Sequence, residues 1–282
     1  MKIVSIFTNL PIFIELQYRT IQKFIHVDFE YIIFNDGKDW PDRTNFNDPL
    51  QGRESITKKC NELQIRCITI PNDHHRTVID ASDRHTDSLA FITTFMKENK
   101  DEYLVLDSDM FLVNHLDIEK YRRYYCACVL QQRDNLTYIW PNLFYLNMNT
   151  APYIDQFELG MVLHGDTGSA SHRWLSSFST PCPSTNLIRH STIQYTNEYF
   201  YFIKHLWSCS WNETEFPLSL HPVVLAFLKE DKRNINDTFF SEIYDETLLH
   251  YRGGTNWMNQ SKEIHEQNIQ QLVSMIHLIL TS

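Results

Sequence analysis

A chain of 282 residues, 43% hydrophobic and 13% aromatic, has enough material for the core of one large α/β domain or two small ones. A formal charge of −10, with no cluster of Lys and Arg beyond two or three residues, argues against nucleic acid or an anionic membrane as the main partner, though a local basic pocket is compatible with it. The six cysteines (Cys60, Cys67, Cys126, Cys128, Cys182, Cys209) show neither a Cys-x-x-Cys pair nor zinc-type spacing, so they read as buried thiols in a reducing compartment.

The first apolar run, Ile3 to Phe7, is interrupted by Asn9 and Pro11 and lacks a small-residue cleavage site. It reads as a buried strand and not a signal peptide, and no later run is long enough to cross a bilayer, so a cytoplasmic protein without a transmembrane segment is expected. Pro11 opens a helix whose Ile14, Tyr18, Ile21 and Ile25 recur on one face. Phe29 to Phe34 is a second strand, closed by Asn35-Asp36-Gly37. Strand, helix and strand at this spacing form a βαβ unit with parallel strands, and ligands of open α/β sheets sit at the carboxyl edge of such strands. Thr8-Asn9 and Asp36 fall at that edge, although Asn-Asp-Gly is also a good turn in its own right. No Gly-rich dinucleotide motif or P-loop follows the first strand, so phosphate has to be held otherwise, which points to a metal.

Lys38 to Gly52 reads as loop, Ile56, Cys60 and Leu63 as one face of a short helix, and Arg66 to Ile70 as the next strand. The polar loop from Asn72 to Ser82 holds the pair His74-His75. Neighbouring side chains diverge on helix and strand alike, so solvent exposure is expected there and a shared metal is not. A helix follows from Thr86 to about Asn99, with Arg84 and His85 at its entrance.

The stretch Tyr103 to Val113 sets Asp107 and Asp109 one residue apart between two apolar runs. It reads as a buried strand that reaches the sheet edge at the acids and then turns back into protein. Two carboxylates so placed raise each other's pKa unless a cation neutralises both, and Mn²⁺ or Mg²⁺ is the fitting ion because hard divalent metals prefer oxygen. The competing reading is a polar turn, which Asp and Ser favour anyway.

Beyond the acids come a short helical linker (Asn114 to Tyr121), a strand (Tyr124 to Leu130) and a dense apolar strand from Ile139 to Asn147 that contains Asn142. Gly165-Asp166-Thr167-Gly168-Ser169 precedes an amphipathic helix carrying Trp174, Leu175 and Phe178. Asp166 is either a helix cap or a carboxylate that receives the proton of an attacking hydroxyl, with Asp155 as runner-up. Ser184 to Ser241 reads as a packed, aromatic second half. In His250-Tyr251-Arg252-Gly253-Gly254, a neutral imidazole can complete a carboxylate-and-phosphate shell while the glycines let backbone approach a diphosphate. The last helix, Ser261 to Leu280, is nearly all apolar towards its end. It docks on the sheet, makes a homodimer contact or leans on a membrane.

Several of these segments carry a family resemblance. Glu102-Tyr103-Leu104-Val105-Leu106-Asp107-Ser108-Asp109 resembles the Asp-x-Asp strand of nucleotide-sugar glycosyltransferases with the GT-A fold. Phosphatases of the haloacid dehalogenase type also end a strand in Asp-x-Asp, but near the chain start and with Thr or Val where Phe111 stands here. About a hundred residues precede the motif in this chain. The resemblance implies one GT-A-like α/β domain with a Rossmann-like, mostly parallel central sheet flanked by helices. Residues 1–113 would be its nucleotide-binding half, 114–260 its acceptor half and 261–282 a C-terminal helix.

It further implies that Asp107, Asp109 and His250 hold the metal, and that Thr8 and Asp36 hold the nucleoside. Arg84, Ser108, Asn142, Gly253 and Asn256 would contact the rest of the donor. Retaining members often carry a Lys near the place of Asn256, and its absence, with Asp166 available as a base, favours inversion. The implied reaction moves a sugar from a UDP-sugar (xylose, glucose or galactose) to a hydroxyl of a glycan acceptor. The family includes chain-building enzymes of bacteria and large viruses, and a compact chain suits either source. The rivals are a nucleotidyltransferase, which normally needs a basic Gly-rich loop after the first strand, and a non-catalytic module that binds sugar or protein on the same fold.

Overall fold

The computed structural model describes residues 1–39, 52–71, 74–78, 80–163, 165–178, 195–254 and 261–282. Twelve strands are present among them: β1 (Lys2–Phe7), β2 (Glu30–Asn35), β3 (Arg66–Thr69), β4 (Glu102–Leu106), β5 (Met110–Leu112), β6 (Cys126–Arg133), β7 (Leu136–Asn147), β8 (Tyr195–Thr196), β9 (Phe200–Phe202), β10 (His205–Leu206), β11 (Glu242–Tyr244) and β12 (Leu248–His250). Eight form one sheet in the order β3-β2-β1-β4-β7-β6-β9-β8, and β10-β11-β12-β5 form a second. In the large sheet β3, β2, β1 and β4 run parallel, β7 opposes β4 and β6, and β9 returns parallel to β6. The fold is α/β, with a Rossmann-like, mostly parallel sheet flanked by helices.

Strand alternation builds two core layers. Ile3, Phe7, Ile33, Leu104 and Leu106 face the Pro11–Phe24 helix and the small sheet, whereas Val4, Ile6, Ile32, Phe34 and Val105 face the Ala81–Glu98 helix. Each of these fully buried aliphatic or aromatic side chains contributes about 1.5–3 kcal/mol. Pro11 opens its helix as expected, and Phe13, Ile14, Leu16 and Ile21 form the buried face. The same face buries Gln17, whose amide donates to the carbonyls of Asp107 (2.7 Å) and Met110 (2.6 Å). Its own oxygen accepts from Ser5 Oγ at 2.7 Å and from the Tyr31 hydroxyl. A helix residue thus fastens both ends of the acidic turn.

The Ala81–Glu98 helix begins one turn earlier than the sequence suggests, because the Asp80 side chain caps it by accepting from the Ser82 and Asp83 amides. Arg84 and His85 therefore lie inside its first turns. The segment before the Trp174 helix is a 3-10 turn (Ser169–Ser171), and only His172–Leu175 is α-helical. Cys209 is exposed, against the expectation of buried thiols, while Cys60, Cys126 and Cys128 are buried and Cys182 lies outside the described residues.

The C-terminal helix, Lys262–Thr281, buries Leu272, Met275, Ile276 and Ile279 in the chain's own core and packs on the Pro11–Phe24 and Pro222–Glu230 helices. Its apolar face thus packs on helices of its own chain, where the sequence left docking on the sheet, a homodimer contact and a membrane contact open. No helix among the described residues is long and apolar enough to cross a membrane. Beneath it lies a buried ion pair: Arg233 grips Asp231 (Nε to Oδ1 2.8 Å, Nη2 to Oδ2 2.6 Å), and Asn268 of the C-terminal helix donates to Asp231 at 3.0 Å. The guanidinium stacks 3.9 Å from the Tyr251 ring centre and donates to the Arg252 carbonyl at 2.6 Å. Arg233→Ala strands Asp231 in the interior, so urea unfolding is expected to show a loss of about 3–5 kcal/mol at unchanged slope.

Candidate active site

In the strand order of the large sheet, β1 leads outward to β2 and β3, while β4 starts the run the other way. The carboxyl ends of β1 and β4 therefore flank a topological switch point, where open α/β sheets leave a crevice. Thr8 follows β1, Asp36 follows β2 and Asp107 follows β4. A cleft of about 320 Å³ lies there, and its lining includes Thr8, Asp36, Arg84, Asp107, Ser108, Asn142 and Asp166. Seven of the residues singled out in the sequence thus share one cavity. Gly253, at φ +73°, is not among its lining residues, and Asn256 lies outside the described residues.

At Asp107 the chain leaves the large sheet and re-enters the small one as β5, which pairs antiparallel with β12 so that His250 stands opposite Met110. The ladder continues past the strand, with Tyr251 N donating to Asp109 O at 2.9 Å. This register carries His250 Nε2 to 3.1 Å from Asp109 Oδ1 and 3.9 Å from Asp107 Oδ2. The ring is not aligned to hydrogen-bond Asp109, whose buried Oδ1 has no hydrogen-bond partner.

Both other faces of the group are fixed. Gly254 N donates to Asp109 Oδ2 at 2.8 Å, and Asn142 Nδ2 donates to Asp107 Oδ2 at 2.6 Å. His250 Nδ1 donates to Glu242 Oε2 at 2.8 Å, which turns Nε2 towards the acids, where loss of its proton would leave a lone pair for a metal. Glu242, 1% exposed, is anchored in turn by the Tyr244 hydroxyl (2.6 Å) and the Ser208 amide (3.1 Å).

Two carboxylates and one imidazole, with donor atoms within 4.8 Å of one another, suit a hard divalent ion, and the Glu242 partner matches the outer-shell carboxylate that orients a ligating histidine. Without an ion the cluster is strained electrostatically. Burial together with the neighbouring Asp109 pushes Asp107 up to about 7. Burial opposes a charged imidazole at His250, but Asp109 and Glu242 outweigh it and push the group up to about 10. Despite burial, the hydrogen bond from His250 holds Glu242 below the usual carboxylate range.

A raised folded-state pKa stabilises the protonated form, so Asp107 costs stability as pH rises from about 4 to about 7, and the contribution of His250 is lost as pH rises from about 6.5 to about 10. A metal must displace these protons, so the rise in melting temperature given by Mn²⁺ is expected to grow steadily from pH 6 to pH 8. A flat profile over that interval contradicts the assignment.

The opposite wall comes from an irregularity in β7. Cys128 pairs with Phe144 and Leu130 with Ile139, so two steps along β6 match five along β7; Trp140-Pro141-Asn142 bulges there, while Leu143 still pairs with Leu106 of β4. Proline is tolerated there because a bulge frees it from the ladder. Trp140, Pro141 and Asn142 all reach the cleft lining. Gly168 packs under the bulge at φ +87°, where a Cβ would meet Ile139 O at 2.7 Å, and this carries the Asp166 loop to the cleft. Asp166 accepts from Thr167 N at 2.8 Å and pairs with Arg133 at 2.5 Å. It caps no helix.

Gly254 makes the closest backbone approach to the acids. A Cβ there would lie 2.8 Å from the Phe13 ring and 3.1 Å from Asp109 Cβ. Gly254→Ala is expected to cost about 1–3 kcal/mol and to weaken Mn²⁺-linked stabilisation in thermal melts.

The histidine pair departs from expectation. His74 and His75 side chains are only 3% and 7% exposed, because both rings turn onto Asp36. Sequence reading also passed over Gln17 and Glu242. Glu242 left one trace: it stands opposite His250 across the β11–β12 hairpin.

No family model matches the chain, and no curated protein matches its sequence. Among solved structures, the galactosyltransferase LgtC in complex with donor and acceptor sugar analogs aligns at 12% identity and TM-score 0.36, over 52% of this chain and 58% of that one. A second LgtC structure, of an active-site mutant, aligns at 12% identity and TM-score 0.36, over 53% and 58%. Mouse xyloside xylosyltransferase 1 in its apo form aligns at 11% identity and TM-score 0.37, over 75% and 87%. The chain thus spans a little over half the length of the two galactosyltransferase structures.

Proposed function

We propose that the protein is a metal-dependent glycosyltransferase that moves a sugar from a nucleotide-sugar donor, of the UDP-xylose, UDP-glucose or UDP-galactose kind, to a hydroxyl of a glycan acceptor. One observation carries the reading: Asp107, Asp109 and His250 converge around a buried Asp109 oxygen that has no hydrogen-bond partner, and Asp107 of this group also lines the polar cleft on the carboxyl edge of the sheet.

The three residues fit Mn²⁺ or Mg²⁺, which when bound supplies positive charge to a departing diphosphate. Thr8 and Asp36 are assigned to the nucleoside, and Arg84, Ser108, Asn142, Gly253 and Asn256 to the phosphates and sugar. Arg84 already donates to the Val78 carbonyl at 2.8 Å, a contact that fixes its guanidinium beside the cleft. Trp140, 5.6 Å from the His250 ring, closes one side against water.

Asp166 is assigned as the base that takes the proton of the acceptor hydroxyl, giving direct attack and inversion. Its partner Arg133 is 58% exposed, so an arriving acceptor displaces that ion pair at little cost.

The test is a thermal melt with UDP, with Mn²⁺ and with both. Together they are expected to raise the melting temperature by about 5 °C or more, well beyond the sum of the separate effects. Absence of a shift with any nucleotide overturns the proposal in favour of a non-catalytic binding module.

A further inference from the structure

A second group of metal-type donors surrounds Asp36, which lines the cleft together with His75. His74 Nε2 lies 2.9 Å from Asp36 Oδ1 and 3.1 Å from Oδ2, and His75 Nε2 lies 3.3 Å from Oδ2 and 2.6 Å from the Asp36 carbonyl. One donor atom from each of the three residues falls within 4.8 Å of the others. Asp36 is 2% exposed, and its Oδ1 has no hydrogen-bond partner although an imidazole nitrogen stands beside it. If the rings were only donors to a buried carboxylate, that oxygen should have been satisfied. The remaining ring nitrogen of His74 faces the Asp87 carboxylate at 3.4 Å. An imidazole held between an inner carboxylate and an outer one is the arrangement in which histidine ligates a metal.

We propose that Asp36, His74 and His75 form a second cation site, selective for a nitrogen-preferring divalent ion of the zinc type. The donor set sets it apart from the first site. Two imidazoles and one carboxylate favour Zn²⁺ or Co²⁺, whereas two carboxylates and one imidazole suit Mn²⁺ and Mg²⁺. A bound ion uses the Nε2 lone pair of each ring, which places the ring proton on Nδ1, and for His74 that nitrogen faces Asp87. The site shares Asp36 with the nucleoside contact assigned above but does not rest on it. An ion on that carboxylate competes with the nucleoside, so zinc acts as an inhibitor of donor binding.

The experiment is a Co²⁺ titration of the untagged full-length protein without nucleotide, followed by visible absorption. Wild type is expected to take two equivalents, one of which is displaced by Zn²⁺ but not by Mg²⁺. Asp109→Ala should keep that zinc-displaceable equivalent, and His74→Gln/His75→Gln should lose it. Asp87 is 53% exposed at its side chain, so Asp87→Asn leaves folding intact, and it is expected to weaken the zinc-displaceable equivalent by about 10- to 100-fold. A wild-type protein with no such equivalent, or an Asp87→Asn protein with unchanged affinity, overturns the proposal. Neither result touches the glycosyltransferase reading, which is decided by the separate response to UDP with Mn²⁺.

Discussion

Asp109→Asn is expected to melt at the same temperature with UDP and Mn²⁺ as with UDP alone, and to transfer sugar at least ~10³-fold more slowly than wild type. The substitution preserves shape. Asparagine keeps an oxygen that can accept from the Gly254 amide, now at 2.8 Å, so the turn that carries Tyr251 to Gly254 stays in place. What disappears is the charge on the oxygen facing His250 Nε2.

A graded companion is Glu242→Gln. It leaves all three ligands present but removes the charge behind the imidazole, and Mn²⁺ affinity should fall by about 10- to 100-fold. If Asp109→Asn retains full metal-linked stabilisation, the buried acids serve the turn and not an ion.

Asp166→Ala is expected to separate binding from chemistry. UDP and Mn²⁺ should stabilise the variant as they do wild type, while turnover falls by about 10²- to 10⁴-fold, the range general-base catalysis supplies. Arg133→Ala offers the control. The pair lies partly in solvent, so its loss changes stability by no more than about 1 kcal/mol. It also frees Asp166 to accept a proton, so turnover should hold or rise. If Asp166→Ala transfers sugar normally, the base assignment is wrong and attack must draw on another group.

How far the chain itself disclosed this site depends on the kind of signal. Main-chain release points were legible, because a strand-helix-strand pattern fixes which ends of the strands face the same edge. Thr8, Asp36 and Asp107 fall there by topology alone. His250 was legible by its setting beside paired glycines, though the glycine that touches the acids is Gly254, and spacing alone does not tell one from the other.

Other parts could not be read because their signals depend on tertiary partners. Gln17 looks like an ordinary polar helix residue until the acidic turn is seen to need donors for its carbonyls. His74 and His75 look exposed in a polar loop until the Asp36 carboxylate is placed between them. Periodicity reports which residues are apolar on one face, not which buried polar groups satisfy each other. One sign was available and unused: Pro141 within a strand of a central sheet announces a bulge, and the bulge is what turns Asn142 onto Asp107.

The claim on which the account turns is that the acids of the β4–β5 turn and the imidazole at the end of β12 take one ion together. Crystals soaked with Mn²⁺ and UDP test it through anomalous scattering at the manganese edge. The account predicts a single strong peak about 2–2.3 Å from His250 Nε2 and from an oxygen of each of Asp107 and Asp109, with diphosphate oxygens completing the shell. A peak that leaves His250 uncoordinated, or ordered UDP with no manganese between its phosphates and Asp109, contradicts it.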